Sequence, residues 1–191
     1  MWNTQPMSLV TDAWMLLMLY WVVSALNRKR RKSVAPMHVR LIQLVFLIPA
    51  TLLLFYPRYR IGPLHLALLP KVAVVPAVGV VVTFVGIAFA IWARYCLGSN
   101  WSSEVSIRED HELIQTGPYQ WIRHPIYTGI ITAAWGTAIV VGELGAFLGV
   151  ILITIGLAYK GRQEELGLQA TFGEAFAAHM QRTGMFLPRM R

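Results

Sequence analysis

Two short stretches of this sequence gather the residue types that do chemistry. The first runs Gly117-Pro118-Tyr119, then Arg123-His124-Pro125-Ile126-Tyr127, then Gly129. Gly-Pro is turn chemistry, and Pro125 suits the first turn of a helix, where its missing N–H costs nothing. His124 then lies at a helix N-terminus whose backbone donors can face an anion such as a carboxylate. The second stretch is Lys160 to Gln181, where Leu168, Phe172, Phe176 and Met180 recur every four residues as a helical stripe. Extended backwards, that stripe reaches Glu164 and Lys160, placing a carboxylate and an ammonium on an otherwise apolar face and partly out of water.

Each of these features has a plainer reading. Arg123 and His124, with Trp121 and Tyr127, could simply mark the level of lipid headgroups. Lys160 and Glu164 could be an ordinary i,i+4 ion pair worth a few tenths of a kcal/mol, and Glu165, one position around, could be solvated. What favours a site is density, since headgroup anchoring does not need so many specifically shaped residues between Gly117 and Gly129. Absences narrow the chemistry further. The sequence holds no G-x-G-x-x-G fingerprint and no phosphate loop, so a nucleotide-like cofactor would not sit on a dinucleotide-binding sheet. His111 and His124 are far apart and no H-E-x-x-H pair occurs, so no metal site is expected. Cys96 is the one cysteine, which excludes an internal disulfide.

The elements that must position these residues are written in the composition. Of 191 residues, 56% are hydrophobic and 14% charged, where soluble domains have roughly 45–50% and about 25%. An ordinary soluble globule is excluded. Apolar runs at Val10–Leu26, Val39–Tyr56, Val72–Leu97, Ile126–Val141 and Leu144–Tyr159 predict five membrane spans. The last two are short and separated only by Gly142-Glu143, which predicts a tight helical hairpin over 126–159 leaning on other helices. The fold class expected is therefore all-α integral membrane protein, with spans one to three in residues 1–97 and the chemistry in 98–191.

Net charge is +8. The cluster Arg28-Lys29-Arg30-Arg31-Lys32 directly follows the first apolar run, which assigns it to topology rather than to nucleic acid. Met1 to Met7 carries no positive side chain, so the first run reads as a retained anchor rather than a secretory signal. With the N-terminus outside, fourteen Lys and Arg fall on the inner side and three, Arg58, Arg60 and Lys71, on the outer. Both polar segments, Gly98–Pro125 and Lys160–Arg191, are then cytoplasmic. The outer loop Pro57 to Lys71, with three prolines, predicts a short extended connection without a function. Gly145-x-x-x-Gly149 reads as helix packing, and Gly173 as a bend or close contact in the C-terminal helix.

In Gly117-Pro-Tyr119, Arg123-His124-Pro125-Ile126-Tyr127-Thr-Gly129 and Glu164-Glu165-x-x-Leu168-x-x-x-Phe172-Gly173 the chain resembles the isoprenylcysteine carboxyl methyltransferase family, related to phospholipid N-methyltransferases. The resemblance runs from about Arg94 to Arg182. It implies transfer of a methyl group from S-adenosylmethionine, held in a cytoplasmic C-terminal cofactor-binding region, to a prenylated or lipid-like acceptor. It further implies that Glu104, His111, Glu112, Leu113, Ile114, Tyr119, His124, Pro125, Ile126, Tyr127 and Glu164 line the cofactor pocket. Lys160 stands four residues before Glu164, where the family carries a basic residue facing the acceptor. Lys160, Arg162 and Arg123 are the candidate catalytic side chains. Other functions left open are N-methylation of a phospholipid headgroup and a non-enzymatic membrane subunit. A prokaryotic inner membrane is the expected location, and a homodimer is permitted by the small-residue faces.

Overall fold

The computed structural model describes residues 5–26, 37–98 and 113–189. Among them the chain forms α1 (Gln5–Leu26), α2 (Met37–Phe55), α3 (Val74–Leu97), α4 (Pro125–Val141), α5 (Leu144–Phe172) and α6 (Glu174–Arg182). Each apolar run read from the sequence coincides with one of the first five, with ends shifted by a few residues. Three helices are long and apolar enough to cross a membrane, namely α1 over Gln5–Ser24, α3 and α5, while Val39–Phe55 and Pro125–Val141 are shorter apolar helices. The basic cluster at 28–32 and the candidate pocket residues Glu104, His111 and Glu112 lie outside the described residues.

Large and small apolar side chains are distributed opposite to a soluble core. Ala13, Ala50, Ala90, Ala133, Ala134, Ala138 and Ala146 are completely buried, whereas Met15, Leu19, Val22, Val45 and Val81 are exposed. In water such a surface would be a large aggregating patch. In hydrocarbon it costs nothing, and helices associate instead through small residues that admit close backbone approach. The molecule is an integral membrane protein.

The most extensive helix contacts are α3 with α4 and α2 with α5. The α3–α4 contact is a glycine zipper with a seven-residue repeat. A Cβ on Gly86 would fall 2.4 Å from the Ala133 nitrogen and 2.6 Å from the Gly129 carbonyl oxygen. A Cβ on Gly136 would meet the Thr83 nitrogen at 2.4 Å and the Gly79 oxygen at 2.6 Å. On α5, Gly145, Gly149 and Gly156 likewise meet Arg60, Ala50 and Phe46. The Gly145-x-x-x-Gly149 face is thus filled from within the chain, not offered to a second copy. Although α4 and α5 are joined by the expected two-residue turn, each packs chiefly on another helix, because its glycines match that helix better than they match each other.

Two further expectations are corrected. The 57–71 loop is not simply extended: it folds into single 3-10 turns at Pro57–Tyr59 and Gly62–His65. It is then stitched to the α4–α5 turn by Leu68 N–H to the Gly142 carbonyl (2.8 Å) and Leu144 N–H to the Leu66 carbonyl (2.9 Å). The stripe Leu168–Met180 is not one helix either. The chain breaks at Gly173, whose φ of +50° lies where L side chains are strained, so Phe176 and Met180 belong to α6, with Phe176 buried. Before that break α5 runs 29 residues without interruption, about 43 Å at ~1.5 Å per residue. That exceeds a hydrocarbon core of ~30 Å, so the helix projects beyond it, and the charged run that opens at Lys160 makes its C-terminal turns the projecting ones.

Because the α3–α4 backbones touch, Gly86→Ala should lower stability by about 1–3 kcal/mol through overpacking. It should appear as a fall in the thermal midpoint in detergent. Ala88→Leu on the exposed face of α3 should leave the midpoint in place.

Candidate functional site

The site is assembled where the N-terminus of α4 meets the polar turns of α5. Gly117 opens the approach with φ +59°, and a Cβ there would strike Cys96 Sγ at 2.7 Å, so only glycine lets the 117–120 turn press on the end of α3. That turn buries Tyr119 against Ala93 and Ile126, with Ile114 and Cys96 packed around them. Pro125 starts α4 as expected, and His124 precedes it as N-cap. The segment after α6 then clasps this corner. Arg123 N–H donates to the Gly184 carbonyl (2.9 Å), His124 N–H to the Met185 carbonyl (3.1 Å) and Thr128 Oγ1 to the Phe186 carbonyl (2.7 Å). On α5, a Cβ at Gly161 would meet Met185 Cε at 2.6 Å and the His124 ring at 3.3 Å. Gly161 is the gap through which the imidazole reaches the carboxylates.

Those carboxylates are Glu164 and Glu165. Tyr127 donates its hydroxyl to Glu164 Oε1 at 2.6 Å, and Lys160 Nζ stands 3.8 Å from the same oxygen and 5.4 Å above the Tyr127 ring. The His124 ring stacks on Tyr127 with centroids 5.3 Å apart. Its Nε2 lies 3.2 Å from Glu165 Oε1 and its Nδ1 3.5 Å from Glu164 Oε2. Arg123 Nε donates to Glu165 Oε1 at 2.6 Å, and Nη1 to the Thr183 carbonyl. A histidine with a carboxylate at each nitrogen is best matched when both nitrogens carry a proton, that is, as imidazolium.

The electrostatics agree. Burial alone would lower the His124 pKa, but its hydrogen bonds to Glu164 and Glu165 raise it above the ordinary 6.5. For Glu164, burial pushes up, and His124, the Lys160 charge and the Tyr127 hydroxyl outweigh it and leave the carboxyl below its ordinary 4.5. Glu165 is lowered as well, by His124 and Arg123 against burial. Tyr119 is held far above its usual range by burial and the nearby Glu164 charge. The result is a desolvated cluster of opposed charges rather than a row of headgroup anchors.

Of the candidate residues, Arg123, His124, Tyr127, Lys160 and Glu164 meet in this one cluster, with Tyr119, Pro125 and Ile126 buried beside it. Leu113 and Ile114 are partly buried on the approach. Arg162 is exposed on α5 and takes part in none of these contacts. Glu165, read from the sequence as solvated, is instead the anchor that joins Arg123 to His124. Thr183, Met185 and Phe186 were also missed. They act through backbone carbonyls, which leave no trace in residue type. Gly161 was legible in principle, as a glycine one turn before Glu165.

The fold and the site define a helical membrane protein whose polar centre is built at one end of its bundle. Residues 77–170, just under half of the chain, match the model of the isoprenylcysteine carboxyl methyltransferase (ICMT) family. The resemblance carried by the motifs therefore holds. A protein-S-isoprenylcysteine O-methyltransferase of Rattus norvegicus is 27% identical over 125 residues, covering 63% of this chain and 43% of that protein. A methanethiol S-methyltransferase of Pseudomonas deceptionensis is 37% identical over 75 residues, 38% of this chain and 27% of that protein. The alignments thus span less than half the length of these relatives. A solved structure of the eukaryotic intramembrane Ras methyltransferase ICMT shares the fold, with a TM-score of 0.59 at 23% identity over 78% of this chain and 50% of that one.

Glu165→Gln should weaken the corner by about 1–3 kcal/mol, less than the 3–5 of a fully buried pair, since Arg123 and Glu165 keep 12% and 13% of their side-chain surface. The same variant should lower the His124 pKa in an NMR titration. In the parent protein, the His124 contribution to stability is complete below pH 6.5 and fades as pH rises through the folded value. The Glu164 and Glu165 contributions are complete above pH 4.5 and fade as pH falls. Thermal midpoints across pH should therefore hold the full contribution of the cluster between 4.5 and 6.5.

Proposed function

We propose that this chain is a membrane methyltransferase that takes its methyl group from S-adenosylmethionine and passes it to a lipid-modified acceptor, the carboxylate of an isoprenylcysteine. The reading rests on one observation: the two motifs of the family, far apart in sequence, close on each other through the 2.6 Å contact between Tyr127 and Glu164. The donor set fits the cofactor. A carboxylate at the edge of an aromatic and apolar layer suits a ligand that carries a sulfonium and an ammonium, and Tyr119, Ile126 and Ile114 supply that layer. On this reading Glu104, His111, Glu112, Leu113, Ile114, Tyr119, His124, Pro125, Ile126, Tyr127 and Glu164 hold the cofactor. When bound, it would supply an activated methyl group.

What the chain itself contributes is position and dryness. Tyr127, Lys160 and His124 fix the two oxygens of Glu164. Arg123 and Glu165 hold His124 from behind, so the carboxylate keeps its charge and its direction. Lys160 presents a point charge toward an anionic acceptor, with Arg123 behind it, while Arg162 guards the solvent side. Residues 98–191 form the catalytic region and 1–97 the supporting bundle. Five spans with the site at the cytoplasmic face of a prokaryotic inner membrane complete the picture, and this orientation follows from the fourteen-to-three distribution of basic residues.

A second acceptor class is favoured by a specific feature. Lys160 lacks the two-pronged fork that a guanidinium offers a carboxylate, and the 37% identical segment is shared with an enzyme named for methylating a thiol. A small thiol is the acceptor on that reading.

Titration with S-adenosylmethionine in detergent tests the common core of both. Binding should weaken at least tenfold in Glu164→Ala and in His124→Ala, with the helical circular dichroism retained; unchanged affinity in both variants would remove the site. Mass spectrometry of the products from labelled cofactor then separates a methyl ester of a prenylcysteine from a thioether or a methylated phospholipid headgroup.

A further inference from the structure

The opposite end of the bundle contains a second built site. A cavity of about 910 Å³ lies between the start of α1, the end of α2, the 57–71 loop, the start of α3 and the end of α4, within the roughly 300–1,000 Å³ of small-molecule sites. Its walls are mostly apolar, with Leu54, Phe55, Val75, Ile139 and Val140 among them. Its polar groups are Arg60, His65, Lys71 and Glu143. Arg60 and Lys71 against the one carboxylate of Glu143 leave the lining cationic.

Arg60 is the decisive residue. It is 4% exposed, a depth at which a guanidinium is normally fully hydrogen-bonded. Its Nε lies at ion-pair distance, 3.3 Å, from Glu143 Oε2, yet Nε and Nη1 are both buried without a hydrogen-bond partner among the described residues. Glu143 is also shared, with His65 Nδ1 3.1 Å from the same oxygen. The arginine is held there by design of the backbone, since a Cβ on Gly145 would fall 2.9 Å from Arg60 Cγ and Cδ. A guanidinium kept buried and half-paired beside an apolar cavity matches a ligand with an anionic head and a hydrocarbon body.

We propose that this cavity binds an anionic phospholipid, its phosphate on Arg60 and its acyl chains along the α2, α3 and α4 wall. A soluble anion would satisfy the arginine but leave the apolar wall uncovered, whereas a neutral lipid would do the reverse. The site is separate from the His124–Glu164 centre and stands whether or not that centre transfers methyl groups.

The test is thermal unfolding of delipidated protein in neutral detergent, with phosphatidylglycerol, phosphatidylcholine or inorganic phosphate added. The expected result is a saturable rise in midpoint with phosphatidylglycerol, and little with the other two. Arg60→Gln should weaken the apparent affinity for phosphatidylglycerol at least tenfold, and Glu143→Gln, which removes the competing carboxylate, should strengthen it severalfold. Ala73→Trp, at an exposed position on the cavity lining, should block the effect without disturbing the core, and it decides the matter if Arg60→Gln does not fold. Equal shifts with the two phospholipids, a shift with phosphate alone that matches phosphatidylglycerol, or an unchanged response in Ala73→Trp would each overturn the proposal.

Discussion

The backbone contact between α3 and α4 is the constraint on which the rest of this structure depends. Gly79 and Gly86 on one helix face Gly136 and Gly129 on the other, and no side chain can be added at any of the four without entering a neighbour's backbone. A contact of this kind fixes the height of one helix against the other, because sliding by one residue would bring a Cβ into the seam. The register matters at the end. It sets the start of α4, with His124 and Tyr127, level with the end of α3, where Ala93 and Cys96 receive the 117–120 turn. The second seam, of α5 against α2, fixes the other partner in the same manner. Two dry interfaces made from small residues thus bring two polar motifs to one level.

What is assembled there is a balance rather than a single strong interaction. Buried charges are expensive unless opposed and hydrogen-bonded, and each charge here has two or more partners. Glu165 holds Arg123 and His124, Glu164 holds His124, Tyr127 and Lys160, and the carbonyls of Thr183, Met185 and Phe186 close the corner. No member can be neutralised without leaving another exposed in a dry place. A centre with these properties keeps its geometry before any ligand arrives, which is the condition for positioning chemistry.

The helices were legible because hydrocarbon imposes a blunt rule on composition, so every apolar run became a helix. The charged centre was legible in its parts, since His124-Pro125 at a helix start and Lys160 to Glu164 on one face are local patterns. Their meeting was not a local pattern. Gly161 stands visibly one turn before Glu165, but the imidazole that passes it comes from a distant segment, and nothing in the spacing shows that Glu165 turns inward to Arg123. Gly173 was legible as a bend, but not as the end of one helix and the start of another, because the four-residue recurrence from Leu168 to Met180 continues across it although the backbone does not. The 57–71 loop was misread for the converse reason: three prolines forbid a long helix but allow 3-10 turns, and the loop's partner lies at the α4–α5 turn, far along the chain.

The two ends of α5 show how one continuous helix serves a membrane protein in two ways. At its N-terminus Glu143 meets Arg60, which is held by the close approach of Gly145. At its polar end Glu164 and Glu165 meet His124 and Arg123 past the gap at Gly161. In both places a carboxylate draws in a cation from another segment, and a glycine on α5 makes room for it. The helix is about 43 Å long, and the hydrocarbon it crosses only ~30 Å thick, so the two ion pairs fall at opposite borders of the membrane, where a charge can be partly dry and still be reached from water. A break in the middle of α5 would free each end to settle at its own depth. Because it is unbroken, the depth of one centre dictates the depth of the other.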